Sequence, residues 1–271
     1  MLVAPSDLHL TVARDGERAY ARLSRGAKEN HSRPAIDPLF RSAASVFGSD
    51  AIGVVLSGFL DDGTVGLQAI KARGGIAVVQ DPLDAEAPDM PASALAHTEA
   101  DFVGRVDEIA PTLVALMQRT PPLPEAANEA EPGDWIAVEN HMFDGSSNME
   151  DLDRIGARAQ LTCPECGGAI WELRGDGPLR YRCHTGHAFT AKVLETLQSG
   201  ETEEALWAAV RALHEQEQLY RQMHGKPPAH HRRGALADKA GDEYLMKAEQ
   251  AREHAQLLAE LIKSRVLVAA K

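Results

Sequence analysis

The sequence of 271 residues, 44% hydrophobic and 25% charged, has the composition of a globular protein with room for about two domains. No apolar run approaches the ~18 residues of a membrane span, and the opening Met1-Leu2-Val3-Ala4-Pro5 lacks the basic start and long apolar stretch of a secretory signal, so a cytoplasmic protein without a membrane span is expected. The net charge of −12 falls within the first 160 residues, the remainder balancing 15 acids against 15 bases; no basic face for nucleic acid is formed, and nucleic acid is not an expected partner.

In chain order, Leu8–Ala13 and Ala19–Leu23 read as a hairpin, and Asp37–Phe47 as a helix with Pro38 in its first turn. Ile52–Leu56 is a short apolar run that ends at Ser57-Gly58. It leads to a helical stretch, Thr64–Arg73, that Gly74-Gly75 closes. Ile76–Val79 is the next buried strand, a short helix follows Pro91, Phe102-Val103 is a further strand, and Asp107–Met117 is an amphipathic helix. Strand and helix alternating in this way imply a parallel sheet covered by helices, an α/β domain over residues 1–118.

Residues 119–154 open with linker composition, Pro121-Pro122, Pro124 and Pro132-Gly133, and hold nine acids and no Lys or Arg between Glu125 and Asp153. Trp135, Ile136, Val138, Met142 and Phe143 nevertheless mark a segment expected to dock. Residues 155–190 form a compact cysteine module. Residues 191–271 hold two helical stretches, Glu203–His224 with Leu206, Val210, Leu213 and Tyr220, and Leu236–Val266 with Ala240, Tyr244, Ala248, Leu258 and Leu261. They are separated by Gly225–Gly234 and expected to pair as an antiparallel hairpin.

Chemistry in an open parallel sheet collects at the carboxyl ends of its strands. Leu56-Ser57-Gly58-Phe59-Leu60-Asp61-Asp62-Gly63-Thr64 lies at such an end. Its acids can cap the following helix, join a divalent-metal site, or serve as the acid of a nucleophile–base–acid triad, and the residue pattern leaves these readings open. Ser57 reads as a strand-end hydroxyl ahead of a nucleophile, and His9, His31 and His97 as surface or core histidines ahead of a base.

Ala4-Pro5, Asp7 and His9, Asn30-His31-Ser32-Arg33-Pro34 with Asp37-Pro38-Leu39-Phe40, Gly53–Gly58 running into Asp62-Gly63, and Gln80-Asp81-Pro82 with Met90-Pro91 resemble the catalytic domain of the CheB-type chemotaxis methylesterases. The resemblance spans about residues 2–115. It implies a doubly wound α/β hydrolase that removes methyl groups from glutamate methyl esters on chemoreceptors by a Ser-His-Asp triad, with the methylated chemoreceptor as protein partner and Asp62 at the triad aspartate. Asp61 stands where some members carry asparagine. The family's nucleophilic serine and histidine precede the segment that corresponds to Met1, so the sheet is expected to be partial and its nucleophile and base to lie outside this sequence. A start read too far downstream, a truncated gene and a partner chain that supplies the missing strands are the competing accounts.

Cys163-Pro164-Glu165-Cys166 and Cys183-His184-Thr185-Gly186-His187 place ligands on two tight turns around a short β excursion through Trp171 and Leu173. This is the spacing of a closed, tetrahedral structural zinc site. Cys163, Cys166, Cys183 and His187 are the expected ligands, with His184 the alternative fourth, and no cofactor is expected for catalysis. The module and the helices after it are similar to a carboxy-terminal extension of some methylesterase homologues that lack a receiver domain. A zinc-ribbon-like module and a helical hairpin after a partial α/β sheet is thus the expected architecture. The leading function is protein-glutamate methylesterase. The alternative is a non-catalytic interaction module derived from that family, with the hairpin as the surface for a partner or a second copy.

Overall fold

A computed structural model describes residues 1–118, 134–145, 149–225 and 235–269; the Pro-rich stretch of 119–133 and the break between the two long helices lie outside the described residues. Residues Met1–Thr196 form one compact unit and Leu197–Lys271 a second.

The first unit begins with an antiparallel hairpin, β1 (His9–Asp15) and β2 (Arg18–Ser24), and then helix α1 (Ile36–Phe47). Strand β3 (Ile52–Val55), helix α2 (Thr64–Ala72), strand β4 (Ile76–Gln80), helix α3 (Asp89–His97), strand β5 (Phe102–Gly104) and helix α4 (Val106–Met117) follow. The sheet is parallel in the order β3-β4-β5, with Val54 opposite Val78 and Val79 opposite Val103. Among the described residues β3 has a strand partner on one side only. Val55, Leu67, Ala77, Val79 and Ala94 form the core between strands and helices and have almost no exposure, which is why β3 and β4 read as apolar runs without alternation.

Helix α5 (Trp135–Phe143) explains the apolar residues of the acidic segment. Ile136 joins Ala44, Ala51, Ala69 and Ile70 of the α/β part. Met142 enters a second core with Leu152, Ile155, Trp171 and Leu173. Asp134 caps the helix by accepting from the Ile136 N–H at 3.1 Å and is paired with Arg73. After α6 (Met149–Ile155) the chain forms a four-stranded antiparallel sheet in sequence order: β6 (Gly156–Thr162), β7 (Ala169–Leu173), β8 (Arg180–Cys183) and β9 (Ala188–Thr190). Both cysteine turns lie at strand ends of this sheet, Cys163–Gly167 between β6 and β7 and Cys183–His187 between β8 and β9.

Helix α7 (Ala191–Gly225) starts directly after β9 and runs into the second unit, where it is joined by α8 (Ala235–Ala269). α7 begins a dozen residues before the expected Glu203, because Thr190 Oγ1 accepts from the Val193 N–H and starts the helix there. Val210 with Leu206 and Leu213 packs against Ala255, Leu258 and Ile262, the contact pattern of an antiparallel pair. The buried position is Ile262, whereas Leu261 is 48% exposed. The apolar stripe of α8 runs through Ala248, Ala251, Ala255 and Ile262 at i, i+3, i+7 and i+14, a helical face that keeps the expected Ala248 and adds Ala251, Ala255 and Ile262.

Candidate active site and metal cluster

The acidic loop runs from the end of β3 to the start of α2 and is fastened to the loop ahead of α3. Gly58 N–H donates to Ala87 O at 2.9 Å and Met90 N–H donates to Gly58 O at 3.0 Å. A Cβ at Gly58 would lie 2.1 Å from Met90 Sδ, so a larger residue there would have to displace that side chain. Gly63, at φ 88°, turns the chain into α2. Ser57 belongs to the same fastening: its Oγ accepts from Ala87 N–H at 2.8 Å, and its own N–H donates to Gln80 Oε1 at 2.9 Å.

Asp62 does not cap α2, the helix that follows it. Its Oδ2 accepts from Ile36 N–H at 2.7 Å, and its Oδ1 accepts from Asp37 N–H at 3.3 Å and Gly63 N–H at 3.0 Å. It therefore satisfies the exposed donors at the start of α1, a helix 26 residues upstream, where an anion is favoured by the helix dipole. Asp37 of α1 returns the contact, with Oδ1 accepting from Gly66 N–H in the first turn of α2 at 2.7 Å. The two helix starts are thus crossed by two carboxylates. Burial and like charge leave both acids with raised proton affinity. Desolvation, opposed by the Ile36 and Asp37 N–H groups, lifts Asp62 to about 6. Desolvation and the neighbouring Asp62 carboxylate push Asp37 well above the usual carboxylate range.

The candidate histidines are engaged elsewhere. His9 is fully buried, with Nδ1 accepting from Ala35 N–H at 3.2 Å and Nε2 placed against Ala27 O at 3.1 Å. His31 pairs with Glu165, and His97 is exposed at the end of α3. Among the described residues no histidine bonds Asp62. Asp61 is 4% exposed, and burial raises its proton affinity against a hydrogen bond from Thr190 and the charge of Lys192.

The second site is the Cys/His cluster. Cys163, Cys166, Cys183 and His187 bring one ligand atom each within 4.8 Å of one another. Cys166 Sγ lies 3.8 Å from Cys183 Sγ, and His187 Nδ1 lies 3.5 Å from Cys183 Sγ and 3.8 Å from Cys163 Sγ. A tetrahedral zinc with bonds of about 2.3 Å to sulfur and about 2.0 Å to nitrogen gives ligand–ligand edges of about 3.8 and 3.5 Å. The donor set fits a metal. His184 is outside the cluster, its exposed ring lying against Gly168, where a Cβ would meet Cε1 at 2.2 Å.

Between the two sites lies a buried ion network with no sequence signal of its own. Glu29, Arg41, Glu139 and Arg182 are each at most 2% exposed. Arg41 grips Glu29 with two bonds, 2.7 and 3.1 Å, and reaches Glu139 at 3.3 Å. Arg182 donates at 2.8 Å to both glutamates, and Arg180, stacked 4.7 Å over Trp135, donates to Glu139 at 2.6 Å. Against the cost of burial, these guanidinium groups hold Glu29 at about 2 and depress Glu139 as well. The network joins α1, α5 and β8, so it ties the α/β part to the cysteine sheet.

A three-stranded parallel sheet flanked by helices, with an acidic strand-end loop whose Asp62 has a raised proton affinity, is the frame for comparison. Residues 1–113 match the family model described as CheB methylesterase. A putative protein-glutamate methylesterase/protein-glutamine glutaminase of Leptospira interrogans serogroup Icterohaemorrhagiae serovar copenhageni is 44% identical over 116 residues, covering 43% of this chain and 58% of the relative. The protein-glutamate methylesterase/protein-glutamine glutaminase of Sulfurimonas denitrificans is 38% identical over 117 residues, covering 43% of this chain and 33% of the relative. The crystal structure of the Thermotoga maritima CheB methylesterase catalytic domain is 31% identical, with a TM-score of 0.41, over 41% of this chain and 59% of that one. The chain therefore spans less than six-tenths of the length of these relatives. No described helix is long and apolar enough to cross a membrane.

Proposed function

We propose that this chain carries the acid portion of a protein-glutamate methylesterase acting on methylated chemoreceptors, with Asp62 as the triad acid. The observation that carries the reading is the state of Asp62: a half-buried carboxylate fixed by three backbone N–H groups, raised to about 6, and without a cationic side chain bonded to it. Such a group stabilises an imidazolium placed beside it, and the imidazolium in turn keeps the carboxylate ionised. In the reaction a serine Oγ attacks the ester carbonyl while a histidine takes its proton, and that proton leaves with methanol. Water then hydrolyses the acyl-serine through the same histidine. Asp62 orients the ring and offsets its charge in both halves. The relatives' names also include glutamine deamidation, which uses the same acyl transfer with ammonia as the leaving group. Exposed Leu56, Phe59 and Leu83 on the loops after β3 and β4 offer an apolar rim suited to a protein substrate.

The test is methanol release from methylated receptor. This chain alone should release none, whereas a form joined to a segment bearing the serine and histidine should be active. Asp62→Ala in that active form should lower turnover on the order of 10³–10⁴-fold. Retained turnover in the Asp62→Ala form overturns the acid role.

Cys163, Cys166, Cys183 and His187 hold one structural zinc in this reading, four protein ligands leaving no position for water and hence no catalytic part for the metal. One equivalent of zinc in purified protein, lost in Cys183→Ser, is expected; less than half an equivalent in the unmodified chain counts against it. Three free thiols fit a cytoplasmic setting. Exposed Trp207, Leu219, Met246 and Leu257 on the long helices support self-association through the hairpin, which sedimentation of the intact chain tests.

A further inference from the structure

Two short stretches join the cysteine sheet to the acidic pair, and both involve residues 28–31. From the sheet, Ala188, the residue after His187, accepts from Asn30 N–H at 2.8 Å through its carbonyl and donates to Lys28 O at 3.3 Å. Thr190 N–H donates to Asn30 Oδ1 at 3.1 Å. From the other turn Glu165, which lies between Cys163 and Cys166, accepts from Lys28 and pairs with His31. Both turns of the metal cluster therefore hold one segment. That segment is in an unfavourable conformation, since Asn30 and His31 have φ of 51° and 61°, a left-handed pair that non-glycine residues keep only where their surroundings fix it.

The side chain of Asn30 also reaches the acidic pair. Its Nδ2 donates to Asp37 Oδ2 at 3.0 Å, and Asn30, Asp37 and Thr190 are at most 7% exposed. One amide thus reads β9 with its oxygen and the acidic pair with its nitrogen. We propose that Asn30 is a positioning residue through which the Cys3His module fixes the Asp37–Asp62 pair, so that occupancy of the metal cluster is felt at the acidic loop. The proposal rests on the metal and acid roles given above. The charged groups around the pair are Glu29 from the 28–31 segment and Arg41 from α1, both locked in the buried network. Asn30 is the neutral side chain bonded at once to β9 and to Asp37, whereas Glu29 reaches the cysteine sheet through Arg182.

The experiment follows the carboxyl carbons of Asp37 and Asp62 by NMR against pH, in zinc-loaded protein, in protein stripped by a chelator, and in Asn30→Gly. Glycine accepts the φ of position 30 and removes only the amide side chain. Loss of the Asn30 donor destabilises the charged form of the pair, so Asn30→Gly should move the titration upward by about half a pH unit, roughly a threefold gain in proton affinity. Stripping zinc from the unmodified protein should do the same, and stripping zinc from Asn30→Gly should add nothing, while that variant still binds one equivalent.

The proposal is overturned if zinc binds fully but its removal leaves the titration unmoved, or if stripping shifts Asn30→Gly as much as the unmodified chain. It is also overturned if the Val78 and Val79 amides of β4 lose exchange protection together with the shift, which marks general unfolding. Less than half an equivalent of zinc in the unmodified protein removes the metal reading as well, a result distinct from full loading without a shift. Failure of Asp62→Ala to affect methanol release would leave the titration test intact.

Discussion

Two pairs of carboxylates share one compact unit and have opposite fates. Glu29 and Glu139 are as deeply buried as Asp37, yet Glu29 is held at about 2 while Asp62 is raised to about 6 and Asp37 is raised as well. The difference lies in the donors. The glutamates face the guanidinium groups of Arg41, Arg180 and Arg182, which bring full positive charge. The aspartates face backbone N–H groups and one amide, which bring dipoles, and they also face each other. A carboxylate fully matched by guanidinium is spent on structure. One held by dipoles beside a like charge keeps an affinity for protons and cations that chemistry can use.

Breaking the first pair's compensation should have the largest effect. Arg182 touches both glutamates at 2.8 Å and has no measurable exposure. Arg182→Ala leaves two buried anions with one fewer cation and should cost about 3–5 kcal/mol in urea unfolding at neutral pH. A cost under about 1 kcal/mol would mean that the network does not hold the α/β part to the cysteine sheet.

The comparison also predicts two slopes of stability with pH, of opposite sign. Glu29 is depressed from 4.5 to about 2, so its contribution, about 3 kcal/mol, is present above pH 4.5 and lost as the pH falls towards 2. Asp62 is raised from 3.8 to about 6, so the folded state binds its proton more tightly than the unfolded chain does. Its contribution, again about 3 kcal/mol, is present below pH 3.8 and lost as the pH rises through 6. Unfolding free energies measured from pH 3 to 7 should therefore peak near the acid end of that range. Asp62→Asn should flatten the fall between pH 4 and 6 and leave the acid limb unchanged. An unchanged slope in Asp62→Asn would show that other groups set it.

How far these features could be read from residues follows from the range over which each is determined. The metal cluster was legible because its ligands come in two local groups, Cys163/Cys166 and Cys183/His187, and a tight turn fixes the geometry within each. The choice of His187 over His184 depends on the turn after β8, which sends the His184 ring over Gly168. The strands and helices of the α/β part were legible from apolar runs and glycine stops. The partner of Asp62 was not, since the helix next in sequence is the natural one to cap and only the packing of α1 against α2 puts Ile36 N–H nearer. Nor was the ion network: Glu29, Arg41, Glu139 and Arg182 lie on segments up to 153 residues apart, and each reads singly as a surface charge. The acid bias of 125–153 hid one residue, Glu139, whose neutralising partners lie outside that stretch.

The smallest effect tests the aspartate pair itself. If Asp37 holds a proton at neutral pH, as burial and the neighbouring Asp62 charge require, then Asp37→Asn replaces a neutral acid by a neutral amide of the same shape. One oxygen remains to accept the Gly66 N–H, and the new NH₂ meets Asn30 Nδ2 in place of an acceptor, a loss of one hydrogen bond worth about 1 kcal/mol. Were Asp37 ionised, the same substitution would remove a buried charge with no cation bonded to it and should stabilise the fold instead. The sign of the change in urea unfolding at neutral pH therefore reports which acid of the pair carries the proton. With position 37 neutral before and after the substitution, Asp62 should keep its raised value of about 6, and a downward move would show that Asp37 carries charge in the unmodified chain.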